Sequence, residues 1–152
     1  MIDFKLDMRS YNDLFTKLDV LGKKTATKVM KKALRDAAKI QRKATKGNIA
    51  SMFKKRSGDL FRSVIVRAAK TKQRGVFGIR VMLDTRKYPN LVKFTKDGTR
   101  HFYPAVLEYG SRFVTGRHFM RRAFESSAGA MKAKIVEITK AGIEAAAKRK
   151  AG

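Results

Sequence analysis

The chain has 152 residues, and its 37 lysines and arginines outnumber its 12 acidic residues to give a net charge of +25. It contains no cysteine, which excludes disulfides and thiolate metal sites. No apolar run approaches the ~20 residues of a membrane span, so we expect no membrane partner. Hydrophobic residues make up 43% of the chain, which is enough for one packed domain over residues 1–152.

The positive charge is spread along the whole chain. It amounts to +8 in residues 1–50, +11 in residues 51–100 and +6 in residues 101–152. Such an excess opposes a compact monomer unless counter-ions or a polyanion neutralise it. The charge therefore indicates either contact with nucleic acid or a basic surface that faces solvent or acidic partners.

The N-terminal third predicts one strand and two helices. Residues 2–8 alternate apolar and polar side chains, as a half-buried strand does. Ser10 and Asp13 have the spacing of a capping box, which predicts a short helix from residue 11 to about Gly22. A longer helix is expected over residues 23–46, ending at Gly47. Its apolar stripe has spacings of three and four residues: Ala26, Met30, Ala33, Ala37, Ile40 and Ala44.

The middle of the chain predicts a β-hairpin over residues 61–83, after a turn at residues 57–59. One strand, residues 61–69, contains three consecutive β-branched residues, and the other, residues 77–83, alternates. The basic residues 70–75 connect them as a loop. Residues 84–102 are expected to form an exposed loop or arm, in which Asp97-Gly98 signals a short hairpin.

The last third predicts one long helix over residues 117–148. Its apolar seam repeats every three or four residues: Phe124, Ala128, Met131, Ile135, Ile138 and Gly142. A glycine inside a helix costs roughly 1 kcal/mol relative to alanine, so we expect another element to approach closely at Gly142. These elements predict an α+β fold, in which the N-terminal helices and the long C-terminal helix pack a small, mostly antiparallel β-sheet.

The sequence offers little for catalysis. It has no glycine-rich phosphate loop, and its few acids do not converge on a metal site. The two histidines, His101 and His118, have no nucleophile or acid placed beside them by the sequence. We therefore expect no enzymatic activity, no cofactor and no metal ion.

Glu108 is a lone acid in the apolar segment 103–110. A buried carboxylate needs a partner, because breaking a buried pair costs about 3–5 kcal/mol. We expect a salt bridge that orders a loop or joins two subunits, and the alternative is an exposed glutamate. The nearby bases are Arg112, Arg117, Arg121 and Arg122.

Three segments follow one another in the order RSGDLFRSV (residues 56–64), YPAVLEYGS (103–111) and RHFMRRAFE (117–125). Together they resemble the neck and tail-completion proteins of long-tailed bacteriophages, which include head–tail joining and minor tail proteins. The chain departs from that family's pattern at Ser57, which replaces threonine, and at His118 and Arg122, which replace prolines. The resemblance implies these candidates for subunit contacts: Ser57, Gly58, Leu60, Ser63, Tyr103, Glu108, Tyr109, Gly110, Phe119, Arg121 and Ala123.

The resemblance implies a structural virion protein. Proteins of this family form a ring at the junction of head and tail, and the genome passes through the lumen. For this chain it implies a homo-oligomeric ring, a hexamer in preference to a dodecamer, assembled in the host cytoplasm. The implied partners are head-closure or connector proteins, tail-terminator or tail-tube proteins, and double-stranded DNA.

The alternative is a basic nucleic-acid-binding protein that acts as a monomer or dimer, which the charge alone supports. Loops are where a domain tends to carry its contacts. The candidates for contact with DNA or an acidic partner are therefore Lys54, Lys55, Arg56, Lys70, Lys72, Arg74, Arg86 and Lys87.

Overall fold

The computed structural model describes residues 8–54, 57–69 and 77–151. The fold is α+β, as predicted, and the described strands form three two-stranded antiparallel sheets. The helices are α1 (Asn12–Asp19), α2 (Lys23–Met52), α3 (Asp59–Ser63), α4 (Tyr103–Tyr109) and α5 (Phe119–Ala151). The strands are β1 (Val64–Ala69), β2 (Gly78–Leu83), β3 (Val92–Phe94), β4 (Arg100–Phe102), β5 (Gly110–Ser111) and β6 (Val114–Thr115).

Helices α2 and α5 pack against each other along their length and form the main core. Ala33 and Ala37 of α2 are buried against Met131 and Ile135 of α5. Small side chains on α2 let the two helices approach closely. The N-terminal helix α1 adds the half-buried side chain of Phe15 to this cluster.

The close approach predicted at Gly142 is confirmed. A Cβ atom at this position would lie 2.6 Å from Cγ2 of Val29 on α2. At the other end of the pair, the side-chain amide of Asn48 donates to the carbonyl oxygen of Phe119 at 2.9 Å. Since residue 29 meets residue 142 and residue 48 meets residue 119, the two helices run antiparallel.

The seam of α5 differs in part from the predicted one. Ala123, Ser127 and Thr139 are buried, whereas Phe124 and Ile138 are only half-buried. The hydroxyls of Ser127 and Thr139 each donate 2.7 Å bonds to the carbonyl oxygen four residues earlier. A hydroxyl that bonds to its own helix can be buried without an unsatisfied polar atom, which is why the apolar pattern missed these positions.

Helix α2 passes through Gly47 and ends at Met52, so the predicted end at Gly47 is wrong. The extension has a packing reason. Ile49 is buried in a second core cluster with Val64, Leu83 and Phe119. Tertiary contacts therefore stabilise a last turn that glycine disfavours.

The predicted capping box at Ser10 is also wrong. Arg9–Tyr11 form a 3₁₀ turn, and neither this turn nor α1 has a side-chain cap. Gly22, with φ of +90°, lies just before α2 and reverses the chain between the helices, as its freedom of backbone conformation allows. The strand predicted for residues 2–8 falls largely outside the described residues, which begin at residue 8.

The β1–β2 hairpin is confirmed, with Val64 opposite Leu83 and Ala69 opposite Gly78. Residues 61–63, predicted as strand, belong instead to the short helix α3. The Ser63 hydroxyl donates to the carbonyl of Leu60 at 2.8 Å, which satisfies it inside that turn. The predicted basic loop at residues 70–75 lies outside the described residues.

Most residues of the arm at residues 84–102 are exposed, as expected, and Leu91 is the buried exception. A 3₁₀ turn at Pro89–Leu91 buries Leu91. The predicted hairpin is confirmed, because β3 and β4 pair antiparallel around Gly98, whose φ is +79°. Asp97 in this turn accepts hydrogen bonds from the hydroxyls of Thr95 and Thr99, and these bonds lower the pKa of its carboxyl to about 2.

Two alanine substitutions in α5 should separate helix propensity from packing. Gly129 has open space around it, so Gly129→Ala should raise the free energy of unfolding by about 0.5–1 kcal/mol. Gly142→Ala should lower it, because the branched Val29 side chain must shift and overpacking costs about 1–3 kcal/mol. Urea denaturation of both variants measures the difference, and equal stabilisation would show that the helices do not touch at Gly142.

The Asp97 carboxyl should titrate with a midpoint near 2, below its ordinary 3.8. A depressed pKa in the folded state adds stability that is present above the unfolded pKa and is lost as the pH falls through about 2. Carboxyl carbon chemical shifts measured by NMR against pH give the midpoint. Thr95→Val removes the main donor and should raise the midpoint, and a wild-type midpoint near 3.8 would contradict the turn geometry.

Candidate assembly site

The three sequence segments that carry the family resemblance meet at the end of the molecule where α5 begins. Leu60 from the first segment, Leu107 from the second and Phe119 from the third belong to one core cluster. Phe119 is fully buried and its ring meets that of Phe53 edge to face, with the ring centroids 5.7 Å apart. The first segment, almost 40 residues before the second in sequence, thus forms one structural unit with the other two.

Glu108 links two of these segments. Its side chain is only 5% exposed. Its Oε2 accepts the backbone N–H of Met120 at 2.8 Å, and its Oε1 accepts the N–H of Arg121 at 3.0 Å. The first amides of a helix lack partners within the helix and carry the positive end of its dipole. A carboxylate from α4 therefore caps the start of α5.

Within the described residues of one subunit the partners of the Glu108 carboxylate are backbone amides, so the predicted salt bridge that orders a loop is wrong. A salt bridge between subunits stays a prediction. The neighbouring arginines bind elsewhere. Arg121 pairs with Glu125 at 3.0 Å, and the Arg117 guanidinium donates to the carbonyl of Met52. The Arg112 guanidinium lies 5.3 Å from the ring centroid of Phe113.

The backbone reinforces the same junction. The N–H of Arg117 donates to the carbonyl of Leu107 at 2.8 Å, and the N–H of His118 donates to that of Glu108 at 3.1 Å. A Cβ at Gly116 would lie 2.7 Å from the Glu108 carbonyl oxygen, so only glycine fits there. The short β5–β6 hairpin between these contacts is thus held at both ends.

The β5–β6 hairpin exposes apolar side chains. Phe113, in the turn between the strands, is 85% exposed, and Val114 on β6 is 46% exposed. Tyr109, the last residue of α4 beside the hairpin, is 51% exposed. Such a group of apolar side chains at a rigid tip is suited to contact with another molecule. The sequence analysis predicts no strand over residues 111–116, because strands of two residues are too short to show a pattern.

The structure divides the candidate subunit contacts into two groups. The positions that stabilise the subunit itself are Leu60, Ser63, Glu108, Phe119 and Ala123, which are buried or half-buried. The glycines Gly58 and Gly110 have φ of +76° and +85° and make turns. The positions whose side chains are exposed, and thus open to a partner, are Ser57, Tyr103, Tyr109 and Arg121.

The candidate contacts with DNA are only partly described. Lys54, Arg86 and Lys87 are exposed. The backbone N–H groups of Arg86 and Lys87 donate to Asp84, which shapes the turn that presents them. The remaining candidates lie outside the described residues: Lys55, Arg56, Lys70, Lys72 and Arg74.

The histidines do not join a reactive cluster. His101 is exposed on β4, and the carbonyl of His118 accepts the N–H of Arg122 at 2.8 Å. In the part of the chain that the structure describes, no three or more His, Asp or Glu side chains come together as metal ligands would. Within the same ranges, no helix combines the length and apolar character needed to cross a bilayer.

Comparisons with known proteins returned no relatives. No family model, curated protein or solved structure matches this chain.

Replacing Glu108 should weaken the junction between α4 and α5. Glu108→Ala removes a charged acceptor and leaves two amides without a partner, so it should lower the free energy of unfolding by about 2–3 kcal/mol. Glu125→Ala is the matched control, since its exposed ion pair is worth at most about 1 kcal/mol. Denaturant unfolding measures both changes, and similar small losses would show that the cap contributes little.

Proposed function

We propose that this chain is a ring-forming structural protein of the bacteriophage neck, which acts in tail completion or head–tail joining. The observation that carries the proposal is the convergence of the three resembling segments on one junction, capped by Glu108. Their packing into one unit places the exposed side chain of Phe113 on a hairpin beside this junction, where it can contact another subunit.

The β5–β6 tip is the proposed contact between subunits. Burying a phenylalanine side chain contributes about 1.5–3 kcal/mol, and Phe113, which is 85% exposed, gains little of this free energy within the described subunit. When an exposed group of one subunit packs on a different surface of the next, the contact is heterologous. A heterologous contact closes into a ring when its rotation allows.

In this proposal the protein resides in the virion, at the head–tail junction. Its neighbours are head-closure or connector proteins and tail-terminator or tail-tube proteins, and the genome passes through the lumen. The net charge of +25 fits such a position, because a ring of repelling subunits is stabilised by a polyanion inside it or by acidic neighbours. The protein acts by its shape and charge, without catalysing a reaction.

The second candidate function is nucleic-acid binding by a monomer or dimer. The charge favours it, because bound phosphates release counter-ions and sequence-independent affinity follows. The two functions differ in how the protein assembles. A neck protein forms a ring through contacts between its own subunits, whereas the alternative protein stays a monomer or dimer and acts by binding DNA.

Solution mass distinguishes the two functions. For a neck protein, light scattering in DNA-free buffer at moderate and high salt should give a mass of about 103 kDa, the mass of six copies of the 17.2 kDa chain. A neck protein that assembles only on virion heads or tails should instead give the mass of a monomer in this buffer. Electron microscopy of such particles then locates it. A monomer or dimer that binds duplex DNA tightly and never enters a particle would reject the neck function.

Phe113→Ser should prevent ring formation or incorporation into particles, because the apolar contact is lost. Phe94→Ser is the matched control, since Phe94 is also largely exposed, at 69%, but lies on the β3–β4 hairpin. Both variants should retain the wild-type circular dichroism. If Phe113→Ser assembles as well as Phe94→Ser, the β5–β6 tip is not the subunit contact.

A further inference from the structure

One face of α2 carries a continuous row of bases. At about 100° per residue, the row falls within about 100° of arc, and its ends are separated by about 28 Å along the helix axis. Every member is exposed to solvent. The row, here called the α2 face, consists of Lys24, Lys28, Lys32, Arg35, Lys39 and Lys43.

One described ion pair neutralises part of this face. The sole acid of α2 is Asp36, which pairs with Lys39 at 2.7 Å. The hydrogen bond from Lys39 is the main cause that lowers the pKa of Asp36, and the charges of Lys32 and of Lys134 on α5 lower it further. One carboxylate thus lies among three ammonium groups, and the α2 face keeps a large net positive charge.

Three other bases of α2 make contacts within the subunit. The Lys31 ammonium lies 5.0 Å from the ring centroid of Phe77, and the Lys46 ammonium lies 4.7 Å from that of Phe61. Arg42 donates to a β1 carbonyl at 2.9 Å. These three bases contact Phe77, α3 and β1. The bases of the α2 face are exposed and can contact a partner.

The composition of the α2 face selects the partner. Helix α2 contains no aromatic residue, so it offers no platform for stacking unpaired bases. Lysine is depleted from the cores of protein interfaces, which disfavours a protein partner. A straight row of five lysines and one arginine matches the duplex phosphate backbone, which carries one charge per ~1.7 Å of its axis.

We propose that the α2 face binds the phosphate backbone of double-stranded DNA without reading its sequence. The inference builds on the proposed function, in which that DNA is the genome and α2 faces the lumen. Lysine–phosphate contacts of this kind exchange with salt ions and let a protein and DNA slide past each other. Such contacts would steady the genome and still allow it to pass.

The test compares two triple variants that each remove three positive charges. K28Q/R35Q/K43Q alters the α2 face at positions without a described ion pair. R122Q/K140Q/K148Q alters three exposed bases of α5 and is the control with the same net charge. Binding of each protein to a duplex of about 30 base pairs is measured by fluorescence anisotropy across a salt series.

The α2 variant should reduce the slope of log affinity against log salt by about 2–3 and weaken binding at least about tenfold near 0.1 M salt. The control should change the slope by less than about 1. Equal losses in the two variants, or no wild-type binding to the duplex at low salt, would overturn the proposal. Retained circular dichroism and thermal midpoints exclude unfolding as the cause.

Two competitors test the choice of partner. Duplex DNA should displace the labelled duplex far better than single-stranded DNA of equal length or polyglutamate of equal charge. If single-stranded DNA or polyglutamate displaces the labelled duplex at the same concentration as unlabelled duplex DNA does, the α2 face is not specific for duplex DNA. The solution mass of the α2 variant in DNA-free buffer tests the two proposals separately. If the variant forms the same ring as the wild type, the proposed neck function stands even when the DNA-binding test rejects the α2 face.

Discussion

The structure depends on the hydrogen bonds that the Glu108 carboxylate accepts from the first backbone amides of α5. These amides have no partner within their helix, and the carboxylate forms no ion pair with a described base. Each group thus satisfies the other at 2.8 and 3.0 Å in a buried setting. The bond fixes where α5 starts, and through α5 it sets the position of the whole α2–α5 pair relative to the strands and hairpins.

The interface between α2 and α5 contains small side chains and hydroxyls that donate hydrogen bonds to carbonyl oxygens of their own helix. Ala33 and Ala37 allow close approach, and Gly142 allows the closest contact, against Val29. Thr45, Ser127 and Thr139 are buried because each hydroxyl donates to the carbonyl four residues earlier. A long two-helix core is therefore built with few large side chains, which leaves the outer faces free to carry charge.

The two proposed contacts lie on different parts of this framework. The apolar β5–β6 tip stands beside the junction at the start of α5, and the α2 face runs along the helix pair. A heterologous subunit contact needs a tip that is held rigidly, which the Glu108 cap and the Gly116 approach provide. A DNA-facing surface needs length and charge without specific geometry, which a 30-residue helix provides.

The sequence alone predicted the elements whose pattern repeats: the α2 stripe, the β1–β2 hairpin, the Asp97-Gly98 turn and the close approach at Gly142. It also marked Glu108 as an acid that needs a partner. Only the tertiary structure decided that the partner is a pair of helix amides, that α2 continues through Gly47, and that buried hydroxyls replace part of the apolar seam. The physical reason is that periodicity reports which face of an element is apolar. Backbone amides, self-bonded hydroxyls and two-residue strands leave no mark in that pattern, because their partners are chosen by where the elements pack.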